Sequence, residues 1–310
     1  MQRKTPRRRV DGVLLLDKPL GWTSNKALQK VRWLLKAKKG GHTGNLDPLA
    51  TGVLPLCFGE ATKFAQFGLD ADKIYQTRIQ LGESRDTGDA EGEVLERAAL
   101  PDLSEARLGQ LLEDFTGAQQ QVPPMYSALK HQGKKLYELA RSGQTVERPA
   151  RAIVLHELRL LNWGVDFIEL EVRCSKGTYI RVLGEDLARA LGTLGYLASL
   201  RRIQSGPYKE DQLVSLDRFE QLHQEAGEEA LDTLLKPVDL LVEHLPSFQL
   251  DEEGSQKLTQ GQAIELLDST LQIGENVRLY NPELKFLGLG EVKESASKQR
   301  LLAPRKICVA

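Results

Sequence analysis

The order of its helical and strand-like patterns constrains the fold of this chain more than any other sequence feature. Strand-like runs at 12–17 and 53–58 flank a helical pattern at 24–35, and two further strand-like runs follow each other directly at 153–163 and 167–174. Helices and strands are therefore mixed without the regular strand-helix-strand alternation that builds a doubly wound parallel sheet. The sequence predicts an α+β fold.

A change of pattern near His244 divides the chain. An acidic, helix-prone stretch at 215–241 is followed by short apolar runs that glycine turns separate. These runs lie at 248–250, 261–264, 276–280, 286–292 and 306–309. Several short strands at this spacing are typical of a small β-barrel. We therefore predict one domain at 1–244 and a second at 245–310.

The start of the chain could be mistaken for a signal peptide. Arg3, Lys4 and Arg7 precede an apolar run at 13–16. That run is far shorter than the roughly 20 apolar residues that a bilayer span needs. It also ends at Asp-Lys-Pro in place of a small-residue cleavage site. We expect a cytoplasmic protein without a membrane segment.

The cysteines and histidines lack the spacing of a metal site or of a disulfide framework. Cys57, Cys174 and Cys308 are widely separated without a CxxC pair, and no HExxH motif is present among the histidines. We expect structural thiols and no metal.

Charge is unevenly distributed along a chain whose formal net charge is only −1. Residues 1–39 are rich in lysine and arginine, whereas acidic residues are concentrated at 211–253. A local basic face can bind phosphate in a nearly neutral protein, because charge acts over a Debye length of about 8–10 Å. Solvated charge on unrelated surfaces explains the pattern equally well, so charge alone leaves nucleic-acid binding open.

The segment at 40–48 has no apolar period and contains three glycines, which predicts a loop. It carries His42 and Asp47 and follows the basic helix. A single aspartate in such a loop is most often an Asx-turn carboxylate. The GxxxxGK[ST] pattern is absent, which argues against a nucleotide-phosphate loop. The residue types alone leave the role of Asp47 undecided.

Five motifs occur along the chain. They are DGVLLLDKP at 11–19, GHTGNLDPLATGVLP at 41–55, and the segments at 124–137, 175–181 and 196–202. In sequence and order they resemble the motifs of the TruB family of pseudouridine synthases. The resemblance extends over nearly the whole chain.

This resemblance implies a fold, a substrate and an organisation. The implied catalytic domain at 1–244 has the mixed central sheet of pseudouridine synthases, with an insertion at about 122–145 that grips the T-arm of tRNA. Residues 245–310 would form a PUA-like RNA-binding barrel. The implied reaction is the isomerisation of uridine 55 in the T-arm without a cofactor. We expect a monomer with tRNA as its partner and no obligate protein partner.

The resemblance also implies catalytic and substrate-binding residues. Asp47 matches the essential aspartate, and Arg181 matches the arginine that pairs with it. A guanidinium close to a carboxylate favours its ionised form, which fits this pairing. Tyr75 matches the aromatic residue that stacks on the target base, and Tyr179 and Leu200 match residues that line the uracil pocket.

The implied RNA contacts lie at the edge of this site. His42 matches the residue that enters the RNA stack when the nucleotide flips out, an extrusion that costs a few kcal/mol. Lys18 could neutralise phosphates of the T-arm, as could the lysines at 26–39 and at 130–135. Asn45 departs from the family pattern, in which a small residue is common.

Two alternatives to this interpretation exist. A non-catalytic tRNA-binding or tRNA-folding protein could keep the fold without turnover, although phosphate binding alone does not call for Asp47 opposite RNA. A guide-RNA-dependent pseudouridine synthase is the second, and the insertion at 125–141 favours the stand-alone bacterial form over it.

Overall fold

The computed structural model describes residues 7–266 and 270–308. Arg3 and Lys4 of the basic start and Val309 of the last predicted strand lie outside these residues. The strands up to residue 215 are β1 (Gly12–Lys18), β2 (Gly40–His42), β3 (Ala50–Phe58), β4 (Lys73–Leu81), β5 (Glu83–Arg85), β6 (Val94–Arg97), β7 (Gly117–Gln121), β8 (Lys130–His131), β9 (Lys134–Lys135), β10 (Arg151–Trp163), β11 (Phe167–Cys174), β12 (Gly195–Ser205), β13 (Tyr208–Lys209) and β14 (Val214–Ser215).

The helices over the same part of the chain are α1 (Ser24–Leu34), α2 (Ala65–Asp70), α3 (Glu105–Phe115), α4 (Leu136–Arg141), α5 (Ile180–Ala190) and α6 (Leu216–Ala230). Short 3₁₀ helices lie at Gly59–Phe64, Glu210–Gln212, Leu231–Leu234 and Val238–Val242. The positions of α1 and α6 agree with the helical patterns predicted at 24–35 and 215–241.

Ten strands form one mixed sheet, which confirms the predicted α+β fold. Their order is β14-β1-β3-β12-β4-β11-β10-β7, with β13 beside β12 and β2 beside β3. β12 runs parallel to β3 and antiparallel to β4. It therefore lies between the strand that follows Asp47 and the strand that carries Tyr75, and this pairing brings distant segments to one place.

Helices α1 and α5 cover one face of this sheet. α1 begins where the Thr23 side chain accepts a hydrogen bond from the Lys26 amide, an N-cap that satisfies a free helix donor. Its buried residues recur at helical spacing and join Leu14 of β1 and Leu187 of α5 in the main core. Each buried leucine contributes about 1.5–3 kcal/mol, so the start of α1 is held firmly against the sheet.

One face assignment in β4 was wrong. The residue types at 74–81 predict a strand in which Ile74 shares a face with Thr77 and Ile79 and Tyr75 lies on the other face. Strand residues share a face when they are two apart, and the buried residues of β4 are the odd-numbered ones. Tyr75 therefore points to the same side as Thr77 and Ile79.

The glycine-rich segment at 40–48 is only partly a loop. Its first three residues form β2, with Gly40 opposite Phe58 and His42 opposite Leu56 of β3. A Cβ at Gly40 would lie 3.2 Å from the Phe58 ring, so the close pairing favours glycine. Because β2 consists of two glycines and a histidine, its sequence lacks the apolar alternation that usually marks a strand.

The C-terminal part comprises β15 (Ser247–Gln249), α7 (Glu252–Thr259), β16 (Ile264–Glu265), β17 (Asn276–Tyr280), β18 (Phe286–Glu294) and β19 (Arg300–Ile307). Its five strands form a sheet of order β15-β17-β18-β19-β16, in agreement with the predicted small β-rich unit. Helix α7 was not predicted, because it depends on an Asp251 cap and buries little more than Leu258. β19 begins earlier than predicted, since Pro304 inside it disguises the strand.

The second sheet packs on the face of the main sheet that α1 and α5 leave uncovered. Because successive strand residues face opposite sides, Val13 points away from the main core and joins Phe286 and Leu289 in a second apolar cluster. Lys63 Nζ donates to the Ile307 carbonyl at 2.7 Å across the same junction. No helix within residues 7–266 and 270–308 has both the length and the apolar character to cross a bilayer.

Candidate active site

One pocket brings together five of the predicted site residues. It has a volume of about 330 Å³, and its walls include Asp47, Tyr75, Tyr179, Arg181 and Leu200. They come from the loop before β3, from β4, from the start of α5 and from β12. The pocket is large enough for a single planar ring and carries charge on one wall.

The loop that carries Asp47 is fixed on both sides of that residue. Ser24 Oγ accepts from the Leu46 amide at 2.7 Å and donates to the Leu46 carbonyl at 3.1 Å. The Ala50 amide donates to the Asp47 carbonyl at 3.0 Å. The Asp47 side chain remains 32% exposed, so its backbone is held while its carboxylate can be reached from the pocket.

Arg181 orients this carboxylate from the first turn of α5. Its Nε donates to Asp47 Oδ2 at 3.0 Å, Nη1 to the Thr87 carbonyl at 2.7 Å and Nη2 to the Tyr126 carbonyl at 2.6 Å. Asp89 Oδ2 lies 3.8 Å from Nε, and the Arg181 side chain is only 6% exposed. Because all three nitrogens are engaged, the planar guanidinium has one orientation.

Two tyrosines and a leucine make up the less polar part of the pocket. Tyr75 and Leu200 are each 8% exposed. Burial raises the pKa of the Tyr75 and Tyr179 hydroxyls above their ordinary value, so both phenols are neutral near pH 7. Gln121 fixes Tyr179, because its side chain accepts from the Tyr179 amide at 2.8 Å and donates to the Tyr179 carbonyl at 3.1 Å.

His42 lies at the rim, two residues before Gly44, which lines the pocket. Its Nδ1 is buried and has no hydrogen-bond partner within the described chain. Burial, and after it the positive charge of Arg202, lower the pKa of the imidazole. The ring is therefore neutral near pH 7, a state suited to stacking on an aromatic base.

Lys18, for which a phosphate contact was predicted, is buried. The residue is 0% exposed, and its Nζ donates to the carbonyls of Pro19 at 2.9 Å and of Trp22. The Pro48 carbonyl lies 3.4 Å away. Burial lowers the pKa of Lys18 to about 8. Because a buried ammonium needs acceptors, Lys18 donates to the main chain, and this geometry argues against the predicted contact with phosphate.

Two further buried cations line the pocket and were not predicted. Lys73 Nζ donates to the carbonyls of Gly68 at 3.2 Å and Leu69 at 2.8 Å, and burial lowers the pKa of this lysine to about 8. Arg202 is 1% exposed, and its Nε donates to the Val53 carbonyl at 2.7 Å. The pocket therefore holds the positive charges of Lys73 and Arg202 in addition to that of Arg181, which pairs with Asp47.

A basic surface lies beside the pocket. Residues 127–129 line the pocket itself, and the β8–β9 hairpin follows directly. Lys130 and Lys134 of this hairpin are exposed, and Lys135 Nζ lies 5.3 Å from the centre of the Tyr137 ring. Exposed lysines next to an aromatic ring are typical of a surface that contacts RNA.

Potential metal ligands are not clustered in the part of the chain that the structure describes. No group of three or more His, Cys, Asp or Glu side chains there is placed to hold an ion. Burial raises the pKa of the free thiols of Cys57 and Cys174 to about 12, so both are neutral thiols near pH 7.

The fold and the pocket together define a class of protein. The sheet is mixed, and its ring-sized pocket holds an aspartate-arginine pair, a buried tyrosine and an apolar wall. These are the features of pseudouridine synthases. Solved structures of this class share the fold. The crystal structure of a Cbf5-Nop10-Gar1 complex aligns with a TM-score of 0.73 at 25% identity, over 96% of this chain and 85% of that chain. An H/ACA RNP bound to a substrate RNA containing 2'-deoxyuridine aligns with a TM-score of 0.71 at 24% identity, over the same shares.

Sequence comparison narrows the class to one family. The model for the N-terminal domain of TruB family pseudouridylate synthases matches residues 32–180, and two TruB C-terminal models match 181–243 and 246–307. The tRNA pseudouridine synthase B of Stutzerimonas stutzeri (strain A1501) is 52% identical, over 99% of this chain and 98% of the relative. That of Chromohalobacter salexigens is 49% identical over 99% and 96%. The chain belongs to the TruB family of pseudouridine synthases.

Proposed function

We propose that this protein is a tRNA pseudouridine synthase that converts uridine 55 of the T-arm to pseudouridine. The observation that carries the proposal is the reachable Asp47 carboxylate, held by Arg181 on the wall of a pocket the size of one base. The curated relatives, which match the chain from end to end, are named as tRNA pseudouridine synthases.

The proposed reaction breaks the C1′–N1 bond and forms a C1′–C5 bond. Asp47 attacks the sugar or the base, or removes a sugar proton, while Arg181 holds the orientation of its carboxylate. Tyr75 stacks on the extruded base, a contact worth about 1–3 kcal/mol, and Tyr179 and Leu200 close the pocket around it. The apolar walls exclude water, which would otherwise compete for the reactive sugar.

RNA binding is assigned to the rim of the pocket. His42, neutral and half-buried, occupies the space that the flipped nucleotide leaves, and part of the extrusion energy is recovered by its stacking. The exposed lysines of the β8–β9 hairpin contact phosphates of the T-arm. Each such contact makes the affinity fall with salt, with a slope of roughly −0.7 to −0.9 in log K against log salt concentration.

The proposed organisation follows the predicted division at residue 244. Residues 122–145 form the T-arm-gripping insertion, and 245–310 form a PUA-like RNA-binding unit. We assign the enzyme to the cytoplasm as a monomer that needs neither a cofactor nor a protein partner. A guide-dependent enzyme would be inert on bare tRNA, so activity on an unmodified transcript separates the two cases.

The first experiment is nucleotide-resolution mapping of pseudouridine on an unmodified tRNA transcript. Wild-type protein is expected to modify only the T-arm uridine, whereas Asp47→Asn binds the RNA without turnover. Asp211→Asn, at an exposed aspartate that does not line the pocket, is the matched control and retains activity. Turnover by Asp47→Asn would remove this residue from its role, and a wild type that binds without modifying would indicate a binding protein. Faster tRNA refolding with Asp47→Asn would reveal a separate folding activity.

A further inference from the structure

Arg202 is a buried cation beside Asp47 that the reaction described above does not use. The residue is 1% exposed and lines the same pocket. In the sheet it lies opposite Tyr75 of β4 on one side and Gly52 of β3 on the other. Its place in the middle of the sheet is thus fixed by two neighbouring strands.

One nitrogen of this guanidinium is left without an acceptor. Nε donates to the Val53 carbonyl, whereas Nη2 is buried and has no hydrogen-bond partner within residues 7–266 and 270–308. Arg181 in contrast uses all three nitrogens, and the adjacent Arg201 pairs with Asp17. A buried donor without an acceptor costs about 1–3 kcal/mol, and more when it is charged. A ligand in the pocket could supply the acceptor.

The chain passes close to Arg202 on both sides of Asp47. Gly44 has φ +136°, and a Cβ there would lie in van der Waals contact with Arg202 Nη1, at 3.6 Å. Gly52 of β3 has φ +96°, and a Cβ there would lie 2.2 Å from the Arg202 carbonyl oxygen, closer than any real contact. Glycine at position 52 therefore lets β3 approach the backbone of Arg202, and the positive φ at both positions favours glycine.

The charge of Arg202 acts on several groups around the pocket. After burial, it is the next cause that lowers the pKa of His42 and of Lys73. Burial raises the pKa of Tyr75, and Arg202 opposes that rise. Arg202 therefore places positive charge close to His42, Lys73 and Tyr75.

We propose that Arg202 is a catalytic residue whose free Nη2–H binds a carbonyl oxygen of the extruded uracil and stabilises negative charge on the base during isomerisation. This inference rests on the proposed function. When the C1′–N1 bond breaks, its electron pair stays with the base and is spread over N1, O2 and O4. C5 then bonds to C1′, and the C5 proton is transferred to N1 by way of solvent or a site group. Arg202 keeps its own proton throughout, so atoms and charge balance.

A uracil oxygen fits this position better than a phosphate does. Arg202 is almost fully buried next to Tyr75, the proposed stacking partner of the base. A bridging phosphate of the RNA backbone would have to enter a cavity of about 330 Å³ together with its sugars. Exposed Lys130 and Lys134 are better placed for phosphates.

The test compares Arg202→Gln and Arg202→Lys with the matched control Arg201→Gln on a T-arm hairpin. Single-turnover rate constants and RNA dissociation constants are measured separately, and thermal unfolding checks the fold of each variant. Loss of one preorganised donor to developing charge is expected to lower the rate constant of Arg202→Gln about 10²–10³-fold, with an unchanged dissociation constant. Arg202→Lys recovers part of the rate because it keeps the charge, and Arg201→Gln behaves as the wild type.

A second measurement replaces the target with 2-thiouridine or 4-thiouridine, because sulfur is a weak hydrogen-bond acceptor. If Arg202 contacts one of the two oxygens, replacing that oxygen by sulfur should change the rate constant of the wild type more than the rate constant of Arg202→Lys. The substrate that shows this difference identifies the contacted oxygen. If Arg202→Gln raises the dissociation constant and leaves the rate constant unchanged, Arg202 holds RNA and the proposal is overturned. If the Arg202 variants do not fold, the wild type alone supplies the test. Equal wild-type rate constants on uridine and on both thio-substrates then overturn the proposal. A wild type inactive on uridine contradicts the proposed function instead.

Discussion

Replacing Arg181 by lysine tests whether the network around Asp47 holds the pocket together. The arginine makes three hydrogen bonds of 2.6–3.0 Å from a side chain that is 6% exposed. A lysine keeps the charge but concentrates it at one nitrogen, which cannot reach three acceptors in different directions. We expect the carbonyls of Thr87 and Tyr126 to lose their partner.

The magnitude follows from these contacts. Two lost hydrogen bonds to a charged group at about 1.5–3 kcal/mol each give a loss of stability of about 3–6 kcal/mol. Relaxation around the smaller side chain reduces this to about 3–4 kcal/mol, or a decrease in Tm on the order of 10 °C for a chain of this size. Because Asp47 also loses its orientation, the single-turnover rate constant should fall about 100-fold.

Urea unfolding and single-turnover kinetics on a tRNA transcript measure the two effects. Arg189→Lys is the matched control, since Arg189 lies on the same helix, is 70% exposed and pairs with Asp186; it should change stability by less than about 0.5 kcal/mol. If Arg181→Lys unfolds within about 1 kcal/mol of the wild type, the network does not hold the site and the reasoning fails.

Three further predictions concern stability. Gly52→Ala should cost more than about 2 kcal/mol in urea unfolding, because its Cβ would meet the Arg202 carbonyl at 2.2 Å, whereas Gly41→Ala, with open space around its Cβ, should be tolerated. Burial lowers the pKa of Lys18 to about 8 from 10.5, so between these values the unfolded chain binds a proton that the native chain lacks. The free energy of unfolding of the wild type should thus rise relative to that of Lys18→Met by roughly 1–2 kcal/mol between about pH 7.5 and 9.5. A difference between the two proteins that does not change with pH would contradict this. Asp251→Ala removes the N-cap of α7 and should cost about 1 kcal/mol, seen as earlier thermal unfolding.

Elements with a strong apolar period could be predicted from the sequence. The helical spacing in α1 and the long apolar runs of β10 and β11 identified these elements correctly. Features that depend on pairing between distant segments could not be predicted. The parallel contact of β12 with β3 joins Leu200 to Ala50, and no local pattern records it. Helix α7 was not predicted for a different reason. It has an N-cap and one buried leucine, so the apolar residues in its sequence do not recur at helical spacing.

The site was predicted through resemblance more than through residue types. Asp47 in a glycine loop was ambiguous until the whole motif was compared, and its contact with Arg181 depends on α5 meeting that loop. The burial of Lys18 was not predicted, because the carbonyl partners of a buried ammonium cannot be seen in the sequence. Arg202 left one signal: consecutive strand residues face opposite sides, so either Arg201 or Arg202 had to point into the protein.

The junction between the two sheets has a consequence for cooperativity. Val13 and Val53 of the main sheet share an apolar cluster with Phe286 and Leu289 of the C-terminal unit, so the strand that follows Asp47 is covered from behind by the distant end of the chain. The predicted boundary near residue 244 lies between two sheets of different topology, but because they share this cluster we expect them to unfold together. Calorimetry should record a single endotherm for the whole chain. A fragment that ends at residue 244 should expose the apolar residues of this cluster and self-associate.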